Sequence, residues 1–436
     1  MEDPFYHGRD NRGVKSVNLL DPQIGDIPDE PGVKEWELRN DIIIPPIHTT
    51  YWCSVFKAPP VDVKHHIIGY QPWVTEGNEE YVHHFVVTTC TENEDETAGF
   101  EQFLEDYPQG ASCFDPNINL LISNCQSVLM AWAVGGVGEN YPEQTGFPFK
   151  PASEGATYFR LEVHYDNPML VDGIYDDSGL TIYYTDNLRT YDMDTVVFGH
   201  NVVYTQLVPP GLNNFMTVGH CSSECTEKFI PPEGIHIFSG LLHAHLLGRK
   251  MRARIFRDGE ELSWILHDEH YAFDYQQSRV LREEFILLPG DHMTIECELS
   301  SSEQEDVTVG GLKTQDEMCE LFAMYYPRVE GMNICLTSVD YQYFHSTFEL
   351  GGVHMNWQSL EWELDETNQT IHEYFRGFNW ENFDLEAYQE AVRFYPQQGI
   401  CGRSSNFLEV KDVTFPEYES EYQPPPRQCP VESPNH

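Results

Sequence analysis

Two groups of side chains in this chain have the types and spacing of metal ligands. One is the adjacent pair His83-His84, joined by the more distant His164; the other is His243 and His245, separated by a single alanine, joined by Met318 beside Cys319. Three neutral imidazoles make a good site for copper in either oxidation state, or for zinc. Two imidazoles plus a thioether are more selective. Methionine rarely holds zinc, and sulfur of this softness suits Cu(I). A copper ion that cycles between oxidation states wants such a mixture, so the residue types point to a copper redox enzyme.

The elements around these residues decide whether they converge. His243 and His245 lie in Leu241-Leu-His-Ala-His-Leu-Leu247. On a strand, residues two apart share a face, so both rings point the same way, flanked by leucines. His83 and His84 lie in the β-type run Tyr81-Val-His-His-Phe-Val-Val87. Strand neighbours face opposite sides, so this pair can share a metal only at an edge, an end or a bulge. His164 sits in another strand, between Val163 and Tyr165, and a second pair, His65-His66, lies upstream. Local sequence does not choose between the pairs. With 19 histidines in the chain, chance pairs are easy, and Met318 on its own reads as a core residue.

Short runs rich in β-branched and aromatic residues, separated by Pro, Gly and Asn turns, follow one another from residue 41 to about 185. Examples are Thr50-Tyr-Trp-Cys-Ser-Val-Phe56, Tyr158-Phe-Arg-Leu-Glu-Val-His-Tyr165 and Leu180-Thr-Ile-Tyr-Tyr184. A second series begins near residue 194 and includes Gly234-Ile-His-Ile-Phe238, Lys250–Arg257 and Met293-Thr-Ile-Glu-Cys297. Helical periodicity is scarce; in the region 355–400 only Asp384–Phe394 reads as a short helix. The pattern predicts an all-β chain of two consecutive antiparallel β-sandwich, jelly-roll-like domains, each holding one metal, plus a mixed C-terminal extension. The expected divisions are a linker over 1–35, sandwiches over 36–190 and 191–350, and an extension with a Pro-rich tail over 351–436.

Composition narrows the class further. Acidic residues outnumber basic ones by 71 to 25, which argues against a nucleic-acid partner and favours small cations. No run of eighteen apolar residues occurs, so no membrane-spanning segment is expected. Met1–Asp10 carries no apolar signal core. The 11 cysteines contain no CxxC pair and suggest an extracellular disulfide framework, with one cysteine left over. Asn368-Gln-Thr370 is a glycosylation sequon and agrees with a lumenal or extracellular location in the secretory pathway.

Taken in order, several segments resemble the copper type II, ascorbate-dependent monooxygenases. They are Thr50-Tyr-Trp-Cys53, Lys64-His-His-Ile-Ile68, Val82-His-His-Phe85, Arg160-Leu-Glu-Val-His-Tyr165, Gly234-Ile-His-Ile-Phe238, His243-Ala-His-Leu246, Glu317-Met-Cys319 and Met324-Tyr-Tyr-Pro327. The likeness runs from about Val17 to Cys401.

The resemblance implies that His83, His84 and His164 hold an electron-transfer copper, and that His243, His245 and Met318 hold the copper at which dioxygen is used. His65-His66 then has a structural role. It implies two sandwiches facing each other across a solvent-filled cleft, with ascorbate giving one electron to each copper. It implies the disulfides Cys53–Cys113, Cys90–Cys125, Cys221–Cys335, Cys225–Cys401 and Cys297–Cys319, the last fixing the strand that presents Met318. Cys429 remains, and would pair with a missing N-terminal domain or another chain; a homodimer is open to it.

Within the family, members that amidate peptides hold a carboxylate with an arginine where this chain has Leu241, and with an asparagine where it has Glu320. An acid there suits a cationic amine instead. Phe322 replaces a tyrosine near the oxygen-using copper. The expected reaction is hydroxylation of the benzylic carbon of a small aromatic amine such as a phenethylamine, with Glu320 and Phe322 close to substrate. The rival readings are a diverged secreted copper-binding protein without catalysis, a monooxygenase for a non-amine substrate, and a zinc hydrolase built on His243 and His245, which leaves Met318 unexplained.

Overall fold

The computed structural model describes residues 30–90, 94–115, 125, 127–133, 136, 138–154, 157–313, 315–356, 361–403 and 406–424. Strands dominate, as the short β-branched runs predict. In the first half, one sheet runs in the order Lys34–Arg39, Gly179–Thr185, His65–Trp73, Thr145–Phe149, Tyr191–Asp192. The facing sheet runs Ala111–Ser112, Thr49–Lys57, Tyr158–Asp166, Val82–Thr89, Ser127–Ala133. Alternate residues of both, among them Ile67, Phe85, Val87, Leu161, Val163 and Ile182, meet in one buried core. Each such side chain removed from water contributes about 1.5–3 kcal/mol.

The second half repeats the scheme. A seven-stranded sheet is ordered Arg279–Leu287, Ile235–Ala244, Cys319–Tyr326, Asp194–His200, Ile334–Val339, Gln397–Arg403, Asn406–Val413. It faces Phe215–Cys221, His292–Leu299, Gly248–Arg257 and Glu260–Glu261. Among the described strands, pairing is antiparallel except where Asp194–His200 lies parallel to Ile334–Val339 and where Tyr191–Asp192 lies parallel to residues 145–146. The last two strands come from the region read as an extension, and Cys401 among them is bonded to Cys225. The other disulfides join Cys53 to Cys113, Cys90 to Cys125, Cys221 to Cys335, and Cys297 to Cys319. Cys429, Met1–Asp10 and Val17 lie outside the described residues.

The helix at Leu385–Phe394 forms, capped by the Asp384 side chain on the Ala387 amide. The 13-residue helix Glu94–Asp106 was not legible. Gly99 near its middle lowers intrinsic helicity by about 1 kcal/mol, and tertiary burial of Phe100 and Phe103 supplies what propensity does not.

The two halves touch through aromatic side chains. A bulge between Ile237 and Ser239 turns Phe238 outward, where with Met324 and Tyr326 it joins the core of the first half. Tyr191 stacks on Tyr326 at 5.0 Å, and Gln144 Nε2 donates to Glu284 Oε1 at 3.0 Å.

Candidate metal centres

The first centre is made by a register fault. His164 pairs directly with His84, but its neighbour Tyr165 pairs with Val82, so His83 is the extra residue of a bulge. The extra residue breaks the up-down alternation and lets consecutive side chains turn to the same side. The three rings form a compact triangle. Centroids are 5.3 Å apart for His83–His84, 4.7 Å for His83–His164 and 4.9 Å for His84–His164. Nδ1 of His83 and Nδ1 of His84 lie 3.0 Å apart, and one nitrogen from each ring falls within 4.8 Å of the others. His164 Nδ1 is buried with no hydrogen-bond partner, as expected of a ligand nitrogen. On its other side the ring stacks on Tyr51 at 4.5 Å.

Burial sets the protonation of this cluster. It pushes the His164 imidazole down to about 3, with the His83 and His245 charges adding to the effect. His84 is held well below the usual range by burial first, then by His164, His83, His243 and His245. Both rings are therefore neutral at physiological pH, the form that donates a lone pair to a metal.

His65 and His66 have a different place. Both are buried, and all four of their ring nitrogens are engaged. His65 Nδ1 meets Val63 O at 2.8 Å and Nε2 meets Lys34 Nζ at 3.2 Å. His66 Nε2 meets Asp192 Oδ1 at 2.8 Å, and Nδ1 accepts from the Arg189 amide at 2.9 Å.

The second centre sits on neighbouring strands of the seven-stranded sheet. His243 faces Glu320, and Ala244 faces Cys319. Carried one pair further, the same register sets Met318 opposite His245. Directly opposed residues project to one face, so His243, His245, Met318 and Glu320 share it. The rings of His243 and His245 are 5.1 Å apart. Gln276 Oε1 lies 2.5 Å from His243 Nδ1, and Asp316 O lies 3.1 Å from His245 Nδ1. With Nδ1 engaged on each ring, Nε2 is the nitrogen left for a metal. Burial depresses both imidazoles, His245 to about 3, and at His243 the bond to Gln276 opposes it.

Glu317 ties this centre together. Its side chain is fully buried and accepts from three backbone amides: His245 and Met318 at 2.5 and 2.8 Å, and Leu247 at 3.0 Å. Burial pushes its carboxyl up to about 7 against the pull of those amides. On the opposite face the buried Cys297–Cys319 bond anchors the start of the Met318 strand.

Glu320 and Phe322 are both brought beside His243. Glu320 is its cross-strand partner, and desolvation raises its carboxyl to about 8. The Phe322 ring lies 5.8 Å from His243 and opposite Leu241.

Part of the gap between the clusters, expected as a solvent-filled cleft, is spanned by a side chain. The Phe273 ring stands between them, stacked on His83 at 5.0 Å and 6.0 Å from His245. Phe273, Gln276 and Asp316 escaped sequence reading because all three lie in loops without periodicity. Glu317 had one signal, its place directly before Met318. Both donor sets fit copper: neutral imidazoles around an unpartnered buried nitrogen in one, imidazoles with a thioether in the other.

Residues 36–172 match the N-terminal-domain sequence model of the copper type II ascorbate-dependent monooxygenases, and residues 191–348 match that of the C-terminal domain. The chain is 33% identical over 435 residues to DBH-like monooxygenase protein 1 of Gallus gallus, spanning 97% of this chain and 69% of that protein. It is 39% identical over 334 residues to the Homo sapiens protein of the same name, spanning 75% of this chain and 52% of that protein. Dopamine beta-hydroxylase of Equus caballus is 33% identical over 448 residues, spanning 99% of this chain and 70% of that protein.

Proposed function

The chain belongs to the copper type II ascorbate-dependent monooxygenases, and from that premise we propose that it hydroxylates the benzylic carbon of a small aromatic amine, with a phenethylamine as the substrate class. Two copper ions per chain serve the reaction, with dioxygen as oxidant and ascorbate as electron donor. His83, His84 and His164 hold the electron-transfer ion. His243, His245 and Met318 hold the other, beside the substrate. Bound copper supplies the one-electron chemistry that turns dioxygen into a hydroxylating agent.

The observation that carries the amine reading is Glu320, a buried acid directly across from His243. Burial keeps Glu320 protonated while it is alone, and an incoming substrate ammonium stabilises its carboxylate form and pairs with it. A peptide carboxylate gives Glu320 no such counter-charge. Leu241 and Phe322 supply an apolar wall for an aromatic ring. The remaining residues position: Gln276 and the Asp316 carbonyl fix the two imidazole tautomers, and Glu317 fixes the chain on which His245 and Met318 sit.

The domain division at about residue 190 and a secretory location fit the same reading. Five disulfides need an oxidising compartment, and Asn368 is exposed where a glycan would be added.

The test is incubation of copper-loaded protein with ascorbate, oxygen and a panel of phenethylamines, followed by mass spectrometry. A gain of one oxygen on an amine, absent without ascorbate, is expected. Copper binding with no product from any amine defeats the proposal.

A further inference from the structure

We propose that Phe273 is a spacer that holds the two metal clusters against one another, a positioning residue that keeps the two sandwiches closed. The inference rests on the reading of both clusters as copper sites.

The turn that carries it, Phe273–Tyr275, reaches three of the six candidate ligands. Its phenyl ring is stacked on His83 from the first sandwich, with an interplanar angle of 23°. The same ring meets His245 of its own sandwich edge-on, at 80°. Gln276, at the end of the turn, bonds to His243 Nδ1 through its oxygen and returns its amide to the Phe273 carbonyl at 2.9 Å. The ring and the His243 support are thus parts of one braced loop. Movement of either sandwich is felt at both clusters through a single side chain.

The chemistry of the residue agrees with this task. Phenyl has no lone pair, so it does not compete with the histidines for either copper. It fills the gap between two imidazole groups with apolar volume and displaces water there. Tyr275, two residues on, is 70% exposed and serves as a control for damage to the loop.

The experiment uses the full chain loaded with Cu(II). It measures copper per chain, the dipolar coupling between the two ions by electron paramagnetic resonance, and hydrogen peroxide released per hydroxylated product. Wild type is expected to bind two coppers with a single, narrow dipolar coupling. Phe273→Ala should keep two coppers, weaken and broaden the coupling, and release several-fold more peroxide per product. Phe273→Trp should restore the coupling, and Tyr275→Ala should leave it as in wild type. Coupling in Phe273→Ala that superimposes on wild type overturns the spacer, and so does loss of copper from that variant with Tyr275→Ala intact. Fewer than two coppers in wild type overturns the reading beneath it as well.

Discussion

Gln276 Oε1 accepts from Nδ1 of His243 at 2.5 Å, and this contact decides which nitrogen His243 presents to a metal. Removing such an oriented partner typically costs 10–100-fold in metal affinity. Gln276→Ala should weaken one copper of the pair by that amount and leave the other unchanged. Competition titration with a Cu(I) chelator measures it.

The three-ring cluster predicts stoichiometry. His84 and His164 are direct cross-strand partners, so either replaced by alanine leaves two imidazoles in a triangle built for three. Both variants should retain one copper per chain instead of two. Met318→His should keep two coppers yet lose turnover, because imidazole in place of thioether favours Cu(II). Metal analysis with a turnover assay checks both, and full activity in Met318→His would refute the ligand role.

Glu317 predicts a stability effect separable from chemistry. Glu317→Ala leaves three amides unpaired in a buried place, and each unsatisfied group costs about 1–3 kcal/mol. The metal-free variant should unfold at a markedly lower temperature by calorimetry. Glu317→Gln retains one acceptor oxygen and should fall between.

Glu139 predicts a pH dependence. It is 3% exposed, and neither carboxylate oxygen has a hydrogen-bond partner among the described residues. Burial raises its pKa above 4.5, and the hydroxyls of Ser239 and Ser278 across the sandwich boundary, bonded to each other at 2.9 Å and near the carboxyl without meeting hydrogen-bond geometry to it, pull it back only partly. A carboxyl raised on folding stabilises fully below its unfolded value, and that stability drains away as pH climbs through the folded value. Glu139→Gln should therefore flatten the fall in melting temperature above about pH 4.5. An unchanged slope would show that other groups control it.

Much of the site was legible because alternation on a strand is a strict rule. The His243-Ala-His245 spacing needed only a period of two to place both rings together, and the β-rich runs between turns were enough for the all-β class. The His83-His84 pair was harder. Its convergence depends on the bulge opposite Tyr165, a fault in pairing between segments some eighty residues apart that no local pattern encodes. Phe273 and Gln276 were invisible for a related reason. Loops take their places from the strands they join, and nothing in Ala272-Phe-Asp-Tyr-Gln276 announces a histidine partner. Phe238 was legible as part of a strand but not as a bridge, since its outward turn follows from a second pairing fault.

The bond between Cys297 and Cys319 ties down the end of the strand next to Met318. Cys319 opens the paired strand and follows Met318 directly, and its side chain is buried in the core. A newly made polypeptide that reached copper before this bond closed would offer its thioether from an untethered end. Copper added after oxidation is therefore expected to fill the Met318 centre more completely than copper added to the reduced chain, as metal analysis would read.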